Sequence, residues 1–326
     1  MKWGYSLIIL LLFIRCETIP NKEQDVIHIP QHFDSLNLDF LKDLTPAKIE
    51  LGKRLFFDNR LSKNQNISCA SCHQPQHAFA DSVAVSIGTN GAQGFRNTPS
   101  IINVAFKDLF HKDGGVKTLE LQVLAPIIDT NELGADFLVV LERLKQDSNY
   151  IKMFRDAFDT LPNVFGITRS IAAFERSLVM GNSAYDRYIL GDSNALNSSE
   201  KNGLRLFNSQ KLNCISCHSG VLFTDFSYQN IGIEHQFEDS GRARITYRPM
   251  DVGKFEVPSL RNVAITPPYM HDGSMKTLDE VVRYLEKGGG NHPNKSDLVQ
   301  PFTLSSTERN DLVHFLNALT DQEFLN

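Results

Sequence analysis

A block near residue 100 recurs near residue 260, and this recurrence limits what the chain can fold into more than any other feature. Pro99, Ser100, Asn103, Val104, Ala105, Asp113, Gly114, Lys117, Thr118 and Leu119 each reappear 159 positions later, from Pro258 to Leu278, without a gap. A second pair of stretches precedes them. Gly52, Arg54, Leu55 and Phe56 match Gly203, Arg205, Leu206 and Phe207. Each run leads into Cys-x-x-Cys-His: Cys69, Cys72 and His73 in the first, Cys214, Cys217 and His218 in the second. The pattern reads as one duplicated unit, giving two related domains with a boundary near 191–197.

The local signals are helical. Thr45 and Pro46 offer an N-cap and a first-turn proline for a helix over about 46–57. Ser148 is the candidate cap of the next run, NYIKMFRDAF, and Thr168 of RSIAAFERSLVM. Thr277 with Glu280, and Ser305 with Glu308, read as capping boxes. Apolar residues recur in these segments at three- and four-residue spacing, so each has one buried stripe. Between each cysteine motif and the repeated block the chain is rich in Gly, Asn and Ser and shows no strand alternation.

Cys-x-x-Cys-His has the spacing of a covalent haem attachment. Two thiols two residues apart reach two vinyl groups on one porphyrin edge, and the following imidazole can bind the iron from beneath. A structural zinc site is the first alternative, but zinc takes four protein ligands and neither half supplies an obvious second pair. A dithiol redox pair is the second, and it leaves the histidine unexplained twice. The expectation is two covalently bound haem c groups, on Cys69, Cys72 and His73 and on Cys214, Cys217 and His218. The expected fold class is mainly α, two cytochrome c-like haem domains arising from an internal duplication.

The chain opens MKWGYSLIILLLFIRCETIP. Lys2 gives a positive start, and the apolar run over 6–14 is too short to cross a hydrocarbon core of ~30 Å as a helix. Residues 1–16 read as an export signal. Cys16 stands where a bacterial lipoprotein carries its lipid-modified cysteine, although Arg15 occupies a position where such signals prefer a small residue. The alternative is a plain cleaved signal with an incidental cysteine. Residues 17–36 read as a tether, 37–192 as the first haem domain and 193–326 as the second. Export agrees with haem c attachment outside the cytoplasm and points to the periplasm, with a membrane anchor if Cys16 is lipidated. The net charge is −5, with no basic patch or arginine-rich tract, so nucleic acid is not an expected partner. A mildly acidic surface suits a basic partner protein.

Taken with ISCASCHQPQHAFAD, RNTPSIINVAF, DGGVKTLELQVLAPI, CISCHSG, VPSLRNVAITPPYMHDG and TLDEVV, the chain resembles the bacterial dihaem cytochrome c peroxidase family, which includes the MauG-like enzymes. The resemblance covers most of residues 40–320. It implies an N-terminal haem where peroxide reacts, a C-terminal haem that passes electrons to it, and a calcium ion between the domains. The active-site glutamate of the family falls on Glu132 and its glutamine on Gln122. The calcium ligands fall on the Asn97 side chain and the carbonyls of Thr266 and Pro268. His271 matches a histidine kept near the C-terminal haem. Dimers are frequent in the family.

Three departures stand out. Where many members carry a distal histidine this chain has Thr89, so an N-terminal haem open in the oxidised state is expected; His77 reads as surface loop. Where the family places a tryptophan between the haems this chain has Lys112, with Phe110 and His111 beside it. Where the C-terminal haem takes a methionine or tyrosine this chain has Leu285. Tyr284 is one step off, and a single step turns a helical side chain by about 100°. Met270, Met275 and His292 remain candidates beside Tyr284. His28, His32, His235 and His314 read as surface or partly buried residues.

The function expected from the resemblance is reduction of hydrogen peroxide to water with electrons from a small cytochrome c or a cupredoxin. A peroxide-dependent oxidase of a protein or organic substrate is the second reading. A non-catalytic dihaem electron carrier is the third.

Overall fold

The computed structural model describes residues 26–33, 36–233 and 239–324. The segment read as an export signal, Cys16 and His235 lie outside them. Among the described residues, nine helices have six or more residues: α1 Pro46–Phe56, α2 Leu119–Ile128, α3 Phe137–Lys145, α4 Ser148–Phe158, α5 Val164–Ser177, α6 Ala184–Ile189, α7 Ser198–Phe207, α8 Leu278–Glu286 and α9 Ser306–Asn317. The one sheet among them is a two-residue antiparallel pair, β1 Tyr228–Gln229 with β2 Phe255–Glu256.

The caps explain most helix starts. The Thr45 side chain accepts from the Lys48 amide, and Pro46 fills the first turn. Thr277/Glu280 and Ser305/Glu308 form the expected capping boxes. Two caps differ from expectation. Asp147, not Ser148, caps α4, and Asn163, not Thr168, caps α5. In each case a short polar side chain on a still-extended residue reaches the first free amides, at 2.9 Å to Asn149 N and 2.8 Å to Gly166 N. Thr168 is instead buried within α5, its hydroxyl donating to the Phe165 carbonyl at 3.2 Å.

Each half has its own apolar core. One draws on residues from Leu51 to Phe174, the other on residues from Leu206 to Leu319. In the first, α1 crosses α5 so closely that a Cβ on Gly52 would overlap the Ser170 carbonyl. In the second, α7 crosses α9 with Gly203 against the Asp311 carbonyl. Three phenylalanines close each core in edge-to-face or tilted contacts: Phe56, Phe79 and Phe174 in one, Phe207, Phe223 and Phe315 in the other. The repeated block adopts repeated geometry. Asn103 and Asn262 are both left-handed, at φ 61° and 60°, a conformation asparagine tolerates. Bridges pair Phe110 with Val116 and Tyr269 with Met275.

The halves meet through matching contacts. The Asn97 amide donates to the His271 carbonyl at 2.7 Å, and the Glu256 amide donates to the Lys112 carbonyl at 2.8 Å. Arg96 spans the junction, pairing with Asp239 at 2.5 Å and with Asp113 at 2.8 Å. The described end of the stretch read as a tether is packed. Phe33 is fully buried, edge-on to Phe106 at 5.7 Å, with the Arg261 guanidinium 4.9 Å above its ring. His32 is held more firmly than a surface histidine, its Nε2 2.9 Å from Asp186. Burying Phe33 between the halves outweighs the solvation of the polar residues around it.

Candidate active site

The two histidines predicted to bind iron are presented alike. Cys69–Cys72 form one helical turn, and the His73 amide closes it on the Cys69 carbonyl at 2.9 Å. Cys214–Ser216 form a 3-10 turn, and the His218 amide donates to the Cys214 carbonyl at 2.9 Å. No disulfide joins either pair of thiols. His73 Nδ1 lies 2.9 Å from the Phe79 carbonyl, and His218 Nδ1 lies 3.0 Å from the Phe223 carbonyl. A carbonyl only accepts, so each Nδ1 carries the proton and each Nε2 keeps its lone pair for a metal. The Pro99 and Pro258 carbonyls also face these rings. Desolvation by the surrounding protein pushes both imidazoles below the ordinary histidine range, favouring the neutral, ligating form. Free paired thiols beside a preset imidazole fit covalent haem in both halves.

The sequence reading missed Phe79 and Phe223. Both are left-handed, at φ 57° and 53°, a costly conformation for a bulky side chain. This conformation turns their carbonyls onto His73 and His218. The only sequence signal is a phenylalanine six residues after His73 and five after His218.

Glu132 sits in the tight turn that follows α2. Its amide donates to the Asp129 carbonyl at 3.0 Å, and the Gly134 amide donates to the same carbonyl at 2.9 Å. The loop carrying Thr89 packs directly on this turn. The Thr89 amide donates to the Glu132 carbonyl at 2.8 Å, and a Cβ on Gly88 would overlap the Asn131 carbonyl. The Thr89 hydroxyl is spent on Asn66 at 2.7 Å, and its carbonyl accepts from Asn64 at 3.0 Å. Thr89 is therefore an anchor of the loop, not a free ligand. Glu132 is accessible to solvent. Even so, the protein mass around it and then the Asp129 carboxylate raise its pKa to about 6. On α2, Gln122 Oε1 is buried and has no hydrogen-bond partner among the described residues. Such an orphan acceptor is costly unless a ligand completes it.

Asn97 is buried, its side-chain amide donating to the Val83 carbonyl at 3.2 Å. Its backbone bond to His271 draws it to the segment that carries Thr266 and Pro268. No hydrogen bond to Asn97 Oδ1 or to either carbonyl occurs among the described residues. Amide and carbonyl oxygens of this kind are the donors a hard cation takes. A cavity of about 320 Å³ lies against Pro267 and Pro268, with His77 and Lys276 on its wall.

Of the candidate ligands in the C-terminal half, Tyr284 is held through its hydroxyl by the Ile231 carbonyl at 3.1 Å. His292 Nδ1 takes the Asn294 amide at 2.9 Å. Met270 and Met275 flank one short hairpin, closed by the pairing of Tyr269 with Met275. Lys112 lies in the junction. Desolvation lowers it to about 8, with Glu256 opposing the fall and Lys107 and Arg96 adding to it.

Comparison with known proteins agrees with this geometry. Residues 46–194 match the family model described as di-haem cytochrome c peroxidase. The methylamine utilization protein MauG of Methylorubrum extorquens is 38% identical over 280 residues, 85% of this chain and 79% of that protein. The cytochrome c551 peroxidase of Nitrosomonas europaea is 33% identical over 291 residues, 87% of this chain and 84% of the relative. Among solved structures, a MauG-like protein associated with microbial copper homeostasis superposes with a TM-score of 0.85 at 33% identity, covering 91% of this chain and 96% of the other.

Proposed function

The chain belongs to the di-haem cytochrome c peroxidase family, and from that premise we propose that it reduces hydrogen peroxide to water with electrons from a small cytochrome c or cupredoxin. The N-terminal half is the reacting half in this reading, and the C-terminal half relays electrons. The observation that carries it is the packing of the Thr89 loop on the Glu132 turn. That contact fills the usual place of a blocking histidine with a satisfied threonine and joins its backbone to that of Glu132.

When bound, the haem supplies an iron that accepts peroxide and exchanges electrons. Cys69, Cys72 and His73 would hold one such group, and Cys214, Cys217 and His218 the other. Glu132 takes a proton from one peroxide oxygen and returns it to the other, a transfer suited to a carboxyl with a pKa of about 6. Gln122 Oε1 accepts a hydrogen bond from peroxide or water and so loses its orphan state. Asn97, Thr266 and Pro268 would hold calcium at the junction, tying the two halves together. The matched geometry of the repeated blocks supports descent of both halves from one unit. Haem c attachment supports a periplasmic setting.

A peroxide-dependent oxidation of a protein or organic substrate is the second reading. The similarity to MauG proteins and a distal loop without histidine favour it. One experiment separates the two. The oxidised, haem-loaded protein is mixed with peroxide and a reduced small cytochrome c. Prompt oxidation of the cytochrome supports the peroxidase. A long-lived oxidised spectrum without cytochrome turnover supports the second reading, and silence in both refutes catalysis.

A further inference from the structure

The segments that hold the two ligand histidines meet at corresponding positions. The Pro99 carbonyl faces His73 and the Pro258 carbonyl faces His218. Three residues before each proline stand Arg96 and Phe255, themselves 159 apart, with the Arg96 guanidinium 5.6 Å over the Phe255 ring. The next residues, Asn97 and Glu256, donate across the junction to His271 and Lys112, which are again 159 apart. The backbone contacts are thus a two-fold pair. The side chains are not. On one side Phe255 stacks on His271, with ring centroids 3.9 Å apart and planes 15° from parallel. On the other side the matching residues are Arg96 and Lys112, two cations with no ring.

We propose that the Phe255–His271 stack couples the two halves electronically, in place of the aromatic residue that position 112 lacks. This rests on the two-haem reading above. From His218 the path runs through the Pro258 carbonyl and three backbone residues to Phe255. It crosses the stacked rings to His271. It then takes the 2.7 Å hydrogen bond to Asn97 and reaches the Pro99 carbonyl on His73. The contacts are continuous from one histidine to the other, and the stacked aromatic faces carry the one step on the route that is neither covalent nor hydrogen-bonded. With both haems in place the stack would pass one electron at a time from the C-terminal half to the N-terminal half. Peroxide is the final oxidant, the external carrier restores the donor, and no bond forms or breaks in the relay.

The test is flash photoreduction of the oxidised, haem-loaded protein by a photoexcited flavin. The redistribution of the electron between the two haem absorbance bands is followed as a concentration-independent phase. Phe255→Leu is expected to slow this phase by about tenfold, while Phe255→Tyr stays within about twofold of the wild type, with both haem potentials unchanged. His271→Leu keeps the backbone carbonyl for Asn97 and serves if Phe255→Leu does not load haem; it is expected to slow the phase equally. A wild-type rate in a leucine variant with unchanged potentials overturns the proposal. Equal slowing in the leucine and tyrosine variants also overturns it, because the role would then be packing. Peroxide consumption by the wild type is measured alongside. Its absence sinks the peroxidase reading, and the redistribution rate still decides the relay.

Discussion

Glu132 is one of 38 acidic residues, and only its surroundings set it apart. Its ionised form is the base, and its pKa is raised from 4.5 to about 6. The reaction with peroxide should therefore weaken as pH falls through about 6, where an ordinary glutamate would hold its charge down to the mid-fours. A pH profile of the peroxide reaction in stopped flow checks this, and a flat profile between pH 5 and pH 7 would count against Glu132. Glu132→Gln should lower turnover by about 10²- to 10⁴-fold while leaving both haem spectra intact. This residue was legible in the sequence only through family resemblance. On local grounds it is a loop acid, because its turn and its contact with Thr89 join residues 43 apart.

At the scale of elements, the helix crossings carry the cores. Gly203 lets α7 approach the backbone of α9, and any Cβ there meets the Asp311 carbonyl. Gly203→Ala is expected to cost ~1–3 kcal/mol, read as a lower denaturant midpoint, despite alanine's better helix propensity. An unchanged midpoint would mean the helices can separate freely. Helices were the most legible level of the structure, since periodicity and caps act within a few residues. The two misplaced caps show the margin. Asp147 took the role expected of the adjacent Ser148, and Asn163, five residues ahead of Thr168, started its helix more than a turn earlier than expected.

For the whole molecule, the junction depends on Arg96. Its guanidinium pairs with Asp113 and Asp239, both nearly excluded from solvent. Arg96→Ala should destabilise the protein by ~3–5 kcal/mol, because two buried carboxylates lose their partner. Urea denaturation measures this, and a loss below 1 kcal/mol would show that the halves are held by other contacts. The pairing also has a pH sign. Asp239 lies below its ordinary 3.8 in the folded protein: desolvation raises it, but Arg96, the Gly241 amide and Arg244 together lower it by more. Its contribution is present above 3.8 and is lost as pH falls through the lowered value. Acid unfolding should begin at higher pH in Arg96→Ala than in the wild type.

The sequence by itself determined the two Cys-x-x-Cys-His motifs, the helical class and the repeated blocks. Covalent spacing, caps and apolar periodicity are local, and each is written within a dozen residues. Only the tertiary structure decided that the Phe79 and Phe223 carbonyls hold His73 and His218 and that Gln122 keeps a free carbonyl. The packing of Phe33 between the halves and the stacking of Phe255 on His271 were likewise hidden. These are contacts between side chains far apart in the chain, and their energies depend on which surfaces the folded halves bring face to face.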